Sequence, residues 1–244
     1  MNYYILTLFP EMVYNGLNHS IIKKAIENNI ININCINIRD FSNNKHNQVD
    51  DYAYGGGAGM VMKPEPVYSS YLSIKDKVKQ GTKVLYMTPQ GKPFNQEMAH
   101  SLSKEEDLII LCGHYEGIDE RVIEEIVTDE ISIGDFILTG GELPAMMLID
   151  SISRLVPNVL GKEESFLNES FSDNLLEYPN YTRPFVFNDK QVPEILLSGN
   201  HKKIEEWKRQ QSLVRTYKKR PDLLKKCIIT EKERIFLEDY FRNN

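Results

Sequence analysis

A chain of 244 residues, 41% apolar and 10% aromatic, has the length and apolar content for one large domain, or for a main domain with a small companion. Its apolar runs fall far short of the roughly 20 residues needed to cross a bilayer, and "MNYYILTLFPEM" has neither a basic leader nor a small-residue cleavage site, so a soluble, cytoplasmic protein is expected. A net charge of −6 taken alone argues against a nucleic-acid partner.

"YYILTLF" (3–9) opens the chain as a strand, followed by a helix that Pro10 can start and by a second strand, "INCINI" (33–38). Residues 40–60, "DFSNNKHNQVDDYAYGGGAGM", read as a long polar, glycine-rich loop without periodicity. Helical patterns at 64–79, 94–104, 118–127 and 143–156 then alternate with the strands "KVLYMT" (83–88), "LIILCG" (108–113) and "ISIGDFIL" (131–138). Such alternation with near-continuous apolar strands predicts an α/β fold, a parallel sheet covered on both faces. Residues 157–185 are irregular, and long structureless stretches in a compact domain are usually functional or disordered. The expected organisation is a main domain over 1–160, a linker over 161–185 and a small helical domain over 186–244.

Charge is unevenly spread. From His201 to Lys226 there are ten Lys or Arg against Glu205, Glu206 and Asp222, a window of +7 that leaves −13 for the rest. A basic module on an acidic body fits a nucleic-acid partner; a solvated helix face is the bland alternative. Trp207 and Tyr217 lie among these charges, either stacking on a base or, for Trp207 in particular, packing the small domain.

Several chemistries are excluded by pattern. Cys35, Cys112 and Cys227 are far apart, and the five histidines show no ligand spacing, so neither a disulfide framework nor a protein-bound metal is expected. There is no GxSxG elbow. "YGGGAGM" follows a polar loop instead of a strand and puts Met60 where a dinucleotide fingerprint needs a small residue. Neither glycine cluster continues into Gly-Lys-Ser/Thr, and Gly140-Gly141 is followed by Glu142, an acid that would repel a phosphate. What remains is a set of glycine-bearing ends after three successive strands: "MTPQG" (87–91), "CGHYEG" (112–117) and "IGDFILTGGELP" (133–144). Ligands of open α/β sheets bind beyond the carboxyl ends of the strands, so the three ends could surround one ligand with backbone groups suited to an adenine and a ribose.

"FILTGGELPAMMLID", "CGHYEGIDERV", "YGGGAGMVMKPEPV" and "LLEYPNYTRP" together resemble the bacterial tRNA (guanine-N1)-methyltransferases, knotted enzymes of the SPOUT class that use S-adenosylmethionine. The likeness runs from "LTLFPEM" into the helical tail. It implies a deep trefoil knot near the C-terminal end of the sheet, a topology that sequence reasoning alone would prune away. It also implies that Thr88 and Pro89, then Gly113, Tyr115 and Glu116, then Ile133, Gly134, Asp135, Phe136, Ile137 and Leu138 with Gly140 and Gly141 surround the cofactor. For Ile133, Phe136 and Ile137 ordinary core packing is the alternative.

The implied reaction is methylation of N1 of guanosine 37 of tRNA, beside the anticodon. Guanine N1 carries a proton and is a poor nucleophile until that proton leaves, so a carboxylate within reach and a cation near O6 are needed. The family's base is a linker aspartate just before Ser-Phe; the matching residue is Glu169 in "LNESF", which keeps the carboxylate and adds a methylene. Arg154 in "SISRLVP" is implied to contact the guanine, its plain role being to complement a helix C-terminus. Glu116 could also bind the guanine edge, and Asp50 with the "YGGGAG" loop is implied to lie near cofactor and base. The family's homodimer, with each site built from two chains, and tRNA binding by the basic tail at the anticodon stem complete the expectation. A knotted ribose 2′-O-methyltransferase and a non-catalytic RNA-binding protein are the alternatives.

Overall fold

The computed structural model describes residues 1–161 and 169–242; residues 162–168 of the expected linker lie outside the described residues. The chain divides into two compact units, Met1–Lys162 and Glu163–Asn244.

In the first unit, β1 (Asn2–Thr7), β2 (Asn32–Asn37), β5 (Lys83–Pro93), β6 (Asp107–Cys112) and β7 (Asp129–Ser132) form one sheet in the order β2-β1-β6-β5-β7. Every pairing is parallel. All six residues of "DLIILC" are buried, as a strand covered on both faces requires. Helix α3 (Pro64–Lys75), with α5 (Glu120–Ile126), packs Val67, Ile74, Val122 and Ile126 onto Leu6, Val84, Ile109 and Leu111 in one apolar cluster. Helix α1 (Pro10–Leu17) packs against α6 (Glu142–Ser153), closely enough that a side chain at Gly16 would collide with Met146 Sδ. Helix α4 (Gln96–Leu102) starts at Asn95, whose Oδ1 accepts the Met98 N–H at 2.9 Å.

The structure corrects three sequence readings. Two helices, α1 and α2 (Ser20–Glu27), replace the single one, because the chain turns at Asn18–Ser20 and Ser20 adopts φ 50°. The polar stretch 40–60 is not structureless: a short 3₁₀ turn (Ile38–Phe41) leads to an antiparallel hairpin of β3 (Asp50–Tyr52) and β4 (Met60–Met62). The strand expected over 131–138 ends at Ser132. Gly134 takes φ 143°, and Phe136 and Ile137 are exposed, so their apolar character does not mark core packing.

The second unit has its own core, Leu175, Leu213, Val214 and Leu237, with Phe236, Tyr240 and Phe241 packed against it. A small hairpin of β8 (Val186–Phe187) and β9 (Lys190–Gln191) precedes α7 (His201–Lys219), α8 (Pro221–Leu224) and α9 (Glu231–Arg242). The basic window is less free than its composition implies. Arg209 donates from Nε to Glu233 and from Nη1 to Asp173, both at 2.6 Å, tying α7 to α9 and to the segment after Glu169. Lys208 pairs with Glu205 and lies over the Tyr178 ring. Tyr217 stacks on Phe241 with ring centroids 4.1 Å apart, so the face expected to meet a base is partly taken; Trp207 lies near Tyr181. Lys202, Lys203, Lys219, Lys225 and Lys226 stay exposed.

The Arg209–Glu233 pair makes this unit acid-sensitive. Burial works against the Glu233 carboxylate, but the Arg209 hydrogen bond, with the Thr230 N–H and hydroxyl, outweighs it and holds the group below its ordinary value of 4.5. A carboxyl depressed in the fold stabilises above its ordinary value, and that contribution is lost as pH falls through the depressed one. Glu233→Gln therefore lowers the unit's stability by about 1–2 kcal/mol at neutral pH, the scale of a charge-assisted hydrogen bond. The gap to wild type closes below about pH 4.5. Thermal unfolding of both chains from pH 7 to pH 3 checks this; a gap that widens on acidification contradicts it.

Candidate active site

The carboxyl ends of β5, β6 and β7 open onto one cavity of about 490 Å³, within the range of small-molecule sites. Each wall is built by a different local device. On β5, the ladder to β7 breaks after Met87↔Ile131 and resumes at Lys92↔Ile131, so Thr88–Gly91 form an excursion between two pairings with one residue. Gly91 is required there: a Cβ would overlap the Ile131 amide nitrogen and the Glu130 carbonyl carbon. The excursion presents Thr88, Pro89 and Gln90 to the cavity.

After β6, residues 113–117 turn tightly, with Tyr115 at φ 58° and the Gly117 N–H donating to His114 O at 3.1 Å. Gly113, His114, Tyr115, Glu116 and Gly117 line the second wall. The third runs from Ser132 to Gly141. Ser132 Oγ accepts the Gly134 N–H and donates to the Gly134 carbonyl, fixing the bend. Ile133, Gly134, Phe136, Ile137, Leu138, Thr139, Gly140 and Gly141 line the cavity. The stretch closes back onto β6, where the Gly141 N–H donates to Gly113 O at 2.8 Å and His114 bridges to Gly140.

Of the sequence-implied cofactor residues, all but Asp135 therefore line one cavity. Arg154 does not. It caps the far end of α6, and twelve helical residues, a rise of about 18 Å, separate it from Gly141. Glu169 lies in the second unit, half-buried, in a turn where its carbonyl accepts the Ser172 N–H at 3.2 Å. Asp50, half-buried in β3, is outside the lining too.

Sequence reasoning missed several contributors. Tyr86 lines the floor, and burial, then Glu130 and Glu120, push its phenol up to about 12, so it stays neutral. His114 Nδ1 is buried with no hydrogen-bond partner among the described residues. Glu142, read from sequence as an acid facing the site, is 2% exposed and accepts from the Thr7 hydroxyl at 2.8 Å. Only the tertiary fold could show that partner, 135 residues away. Cys112 is fully buried, and burial followed by the Glu142 carboxylate raises its thiol well above the ordinary value, which removes it as a nucleophile.

Electrostatically the cavity is one-signed. Glu116, Glu120 and Glu130 line it, and among the described residues no Lys or Arg does. Such a site suits a cationic ligand and disfavours a phosphate. The exposed faces of Phe136, Ile137 and Leu138 offer apolar cover for a flat ring. The sulfonium, the ammonium and the adenine of S-adenosylmethionine suit these residues, while its carboxylate would rely on backbone N–H groups of the glycine-bearing walls. Among the described residues no group of His, Cys, Asp and Glu could hold a metal ion, and no helix is long and apolar enough to cross a membrane.

Known proteins resemble this chain over nearly its whole length. The family model described as tRNA (Guanine-1)-methyltransferase TrmD matches residues 1–226. A tRNA (guanine-N(1)-)-methyltransferase of Alkaliphilus oremlandii is 59% identical over 240 residues, 96% of either chain. The Clostridioides difficile protein of that name is 60% identical over 227 residues, 93% of this chain and 98% of its own. That of Staphylococcus epidermidis is 57% identical over 235 residues, 96% of this chain and 95% of its own. The chain belongs to the tRNA (guanine-N1)-methyltransferase family.

Proposed function

We propose that this enzyme transfers the methyl group of S-adenosylmethionine to N1 of guanosine 37 of tRNA, in the cytoplasm, as a homodimer. The acidic, glycine-walled cavity at three strand ends carries this reading. When bound there, S-adenosylmethionine supplies a methyl group already activated on a sulfonium. Backbone groups of 88–91, 113–117 and 133–141 hold the adenosine, and the cavity's carboxylates favour the cationic end. Glu169 takes the N1 proton as guanine becomes nucleophilic, and Arg154 stabilises the charge developing toward O6. Positioning supplies much of what remains.

Two features support the dimer. Arg154 lies a helix length from this chain's own cavity, so its work falls in a partner's. Met12 and Tyr14 of α1, with Leu143 and Met147 of α6, are exposed large apolar side chains on two helices that pack together, a surface suited to a second copy. The deep trefoil knot belongs to the same reading; the return of Gly141 to Gly113 after β7 supports it. The exposed lysines of 202–226 suit the phosphates of the anticodon stem, with affinity that falls as salt rises.

Labelled methyl transfer to a tRNA transcript carrying guanosine or adenosine at position 37 tests the assignment. Guanosine accepts the label, as 1-methylguanosine, and adenosine does not. Equal labelling of both transcripts removes the N1-guanine assignment.

A further inference from the structure

The β3–β4 hairpin, whose "YGGGAG" loop the resemblance implies to lie near cofactor and base, is outside the residues that line the cavity, and its two tyrosines have no part in the mechanism above. Its Tyr54 is 98% and its Tyr52 80% exposed, the two most exposed aromatic rings among the described residues. Neither stacks on another ring there. The hairpin is nevertheless held to the cavity wall. The Met62 N–H donates to Gly117 O at 2.9 Å, the Glu116 N–H to Met60 O at 3.0 Å and the Asp119 N–H to Met62 O at 3.0 Å. Asp51 accepts the Tyr52 N–H at 2.9 Å and pairs with Lys63 at 3.3 Å, tying β3 to the residue after β4. The exposed rings thus ride on a support bonded to Glu116 and Gly117, which line the site.

Arg121 completes the group. Its side chain is 72% exposed, and a two-pronged contact to Asp119, at 2.9 and 2.7 Å, uses two of its five N–H donors. Asp119 in turn donates its N–H to Met62 O, so Arg121 is tied through its partner to the second strand of the hairpin.

Guanine N1 is a Watson–Crick donor, so an enzyme that methylates it must meet the base unpaired or take it out of its stack. The neighbouring loop bases are then left with open faces, and unpaired RNA bases are held by stacking on aromatic side chains. We infer that Tyr52 and Tyr54 are a stacking platform for an unpaired tRNA base adjoining the target guanosine, with Arg121 meeting the neighbouring phosphate. This rests on the tRNA methyl-transfer reading.

The test compares the full-length wild type with Tyr52→Ala/Tyr54→Ala and Tyr52→Phe/Tyr54→Phe, on a tRNA transcript with 2-aminopurine beside position 37. The alanine pair raises the KM for tRNA at least about tenfold, the scale of one lost base stack, and loses the 2-aminopurine quenching. Its kcat stays within about twofold and its S-adenosylmethionine affinity is unchanged. The phenylalanine pair stays within about threefold of wild type, because stacking needs the ring and not the hydroxyl. Unchanged KM and quenching in the alanine pair overturn the inference, as does an equal loss in the phenylalanine pair. A fall in cofactor affinity instead makes the hairpin a prop for the cavity and overturns it too. A wild type that labels no tRNA defeats the functional reading, while quenching on binding still decides the platform.

Discussion

Replacing Glu169 by glutamine leaves S-adenosylmethionine affinity intact and lowers the rate of methyl transfer by about 10²–10⁴-fold, the usual contribution of a positioned general base. Glutamine keeps the length and the hydrogen-bonding oxygen but cannot accept the N1 proton. Backbone bonds and burial help hold the turn that presents the residue. The Phe171 N–H donates to Leu175 O at 2.8 Å, the Glu177 N–H to Ser170 Oγ at 3.0 Å, and Leu175 is buried in the core of the second unit. A Glu169→Asp chain, which restores the family's aspartate, keeps most of the activity if the backbone adapts by one methylene. Single-turnover transfer alongside calorimetric cofactor binding separates chemistry from affinity. Turnover retained in Glu169→Gln removes this residue as the base.

Gly141→Ala acts on the other half of the site and is the more destructive structurally. Its φ of −80° suits any residue, so backbone conformation is not at issue. Space is: a Cβ would sit 2.8 Å from Cys112 Cα and 3.0 Å from the Gly113 nitrogen. Both are backbone atoms at the end of a buried strand, and no rotamer change relieves the contact. Either β6 shifts or the Gly141–Gly113 hydrogen bond breaks, and in both cases two cavity walls separate. The expected cost is about 1–3 kcal/mol of stability, typical of overpacking, together with a loss of cofactor affinity of about tenfold or more, an added 1.4 kcal/mol or so at the site. Gly161→Ala is the control, since a Cβ there meets no atom of the described residues within 4 Å. Urea midpoints and calorimetry on the two variants decide it; a Gly141→Ala chain as stable and as tight as the control contradicts the close-approach argument.

How much of this was legible in the sequence depends on where the stabilising contacts lie. Continuous apolar runs such as "LIILC" announced a doubly covered parallel sheet, because a strand between two layers has no polar face to show. The β3–β4 hairpin was hidden because its strands are three residues each and polar; what fixes it is backbone bonding to residues 116–119, invisible in local pattern. "ISIGDFIL" misled for the opposite reason. Apolar residues that face a ligand cavity look in sequence like those that face a core, and only Gly134 hinted at the bend. The site divides along the same line. Glycine-bearing strand ends mark a ligand position by general topology, and the fold brings Thr88, Gly113 and Gly140 around one cavity. Arg154 and Glu169 could be named only from resemblance, since neither shares a local pattern with that cavity.

The double use of Ile131, partner to Met87 and again to Lys92, has a bearing on when the site comes into being. The Thr88–Gly91 excursion is pinned only once β7 is in place, and the third wall follows β7 in the chain. Further back, β1 must wait for β6, its partner more than 100 residues downstream. Such long-range parallel pairing is slow, since loop closure precedes any reward in contacts. A nascent chain that stops short of Asp129 already holds β1, β2, β5 and β6 but has neither β7 nor an enclosed cavity. The ability to capture the ligand is therefore acquired last in the first unit, and the onset of binding during refolding times the final strand's arrival.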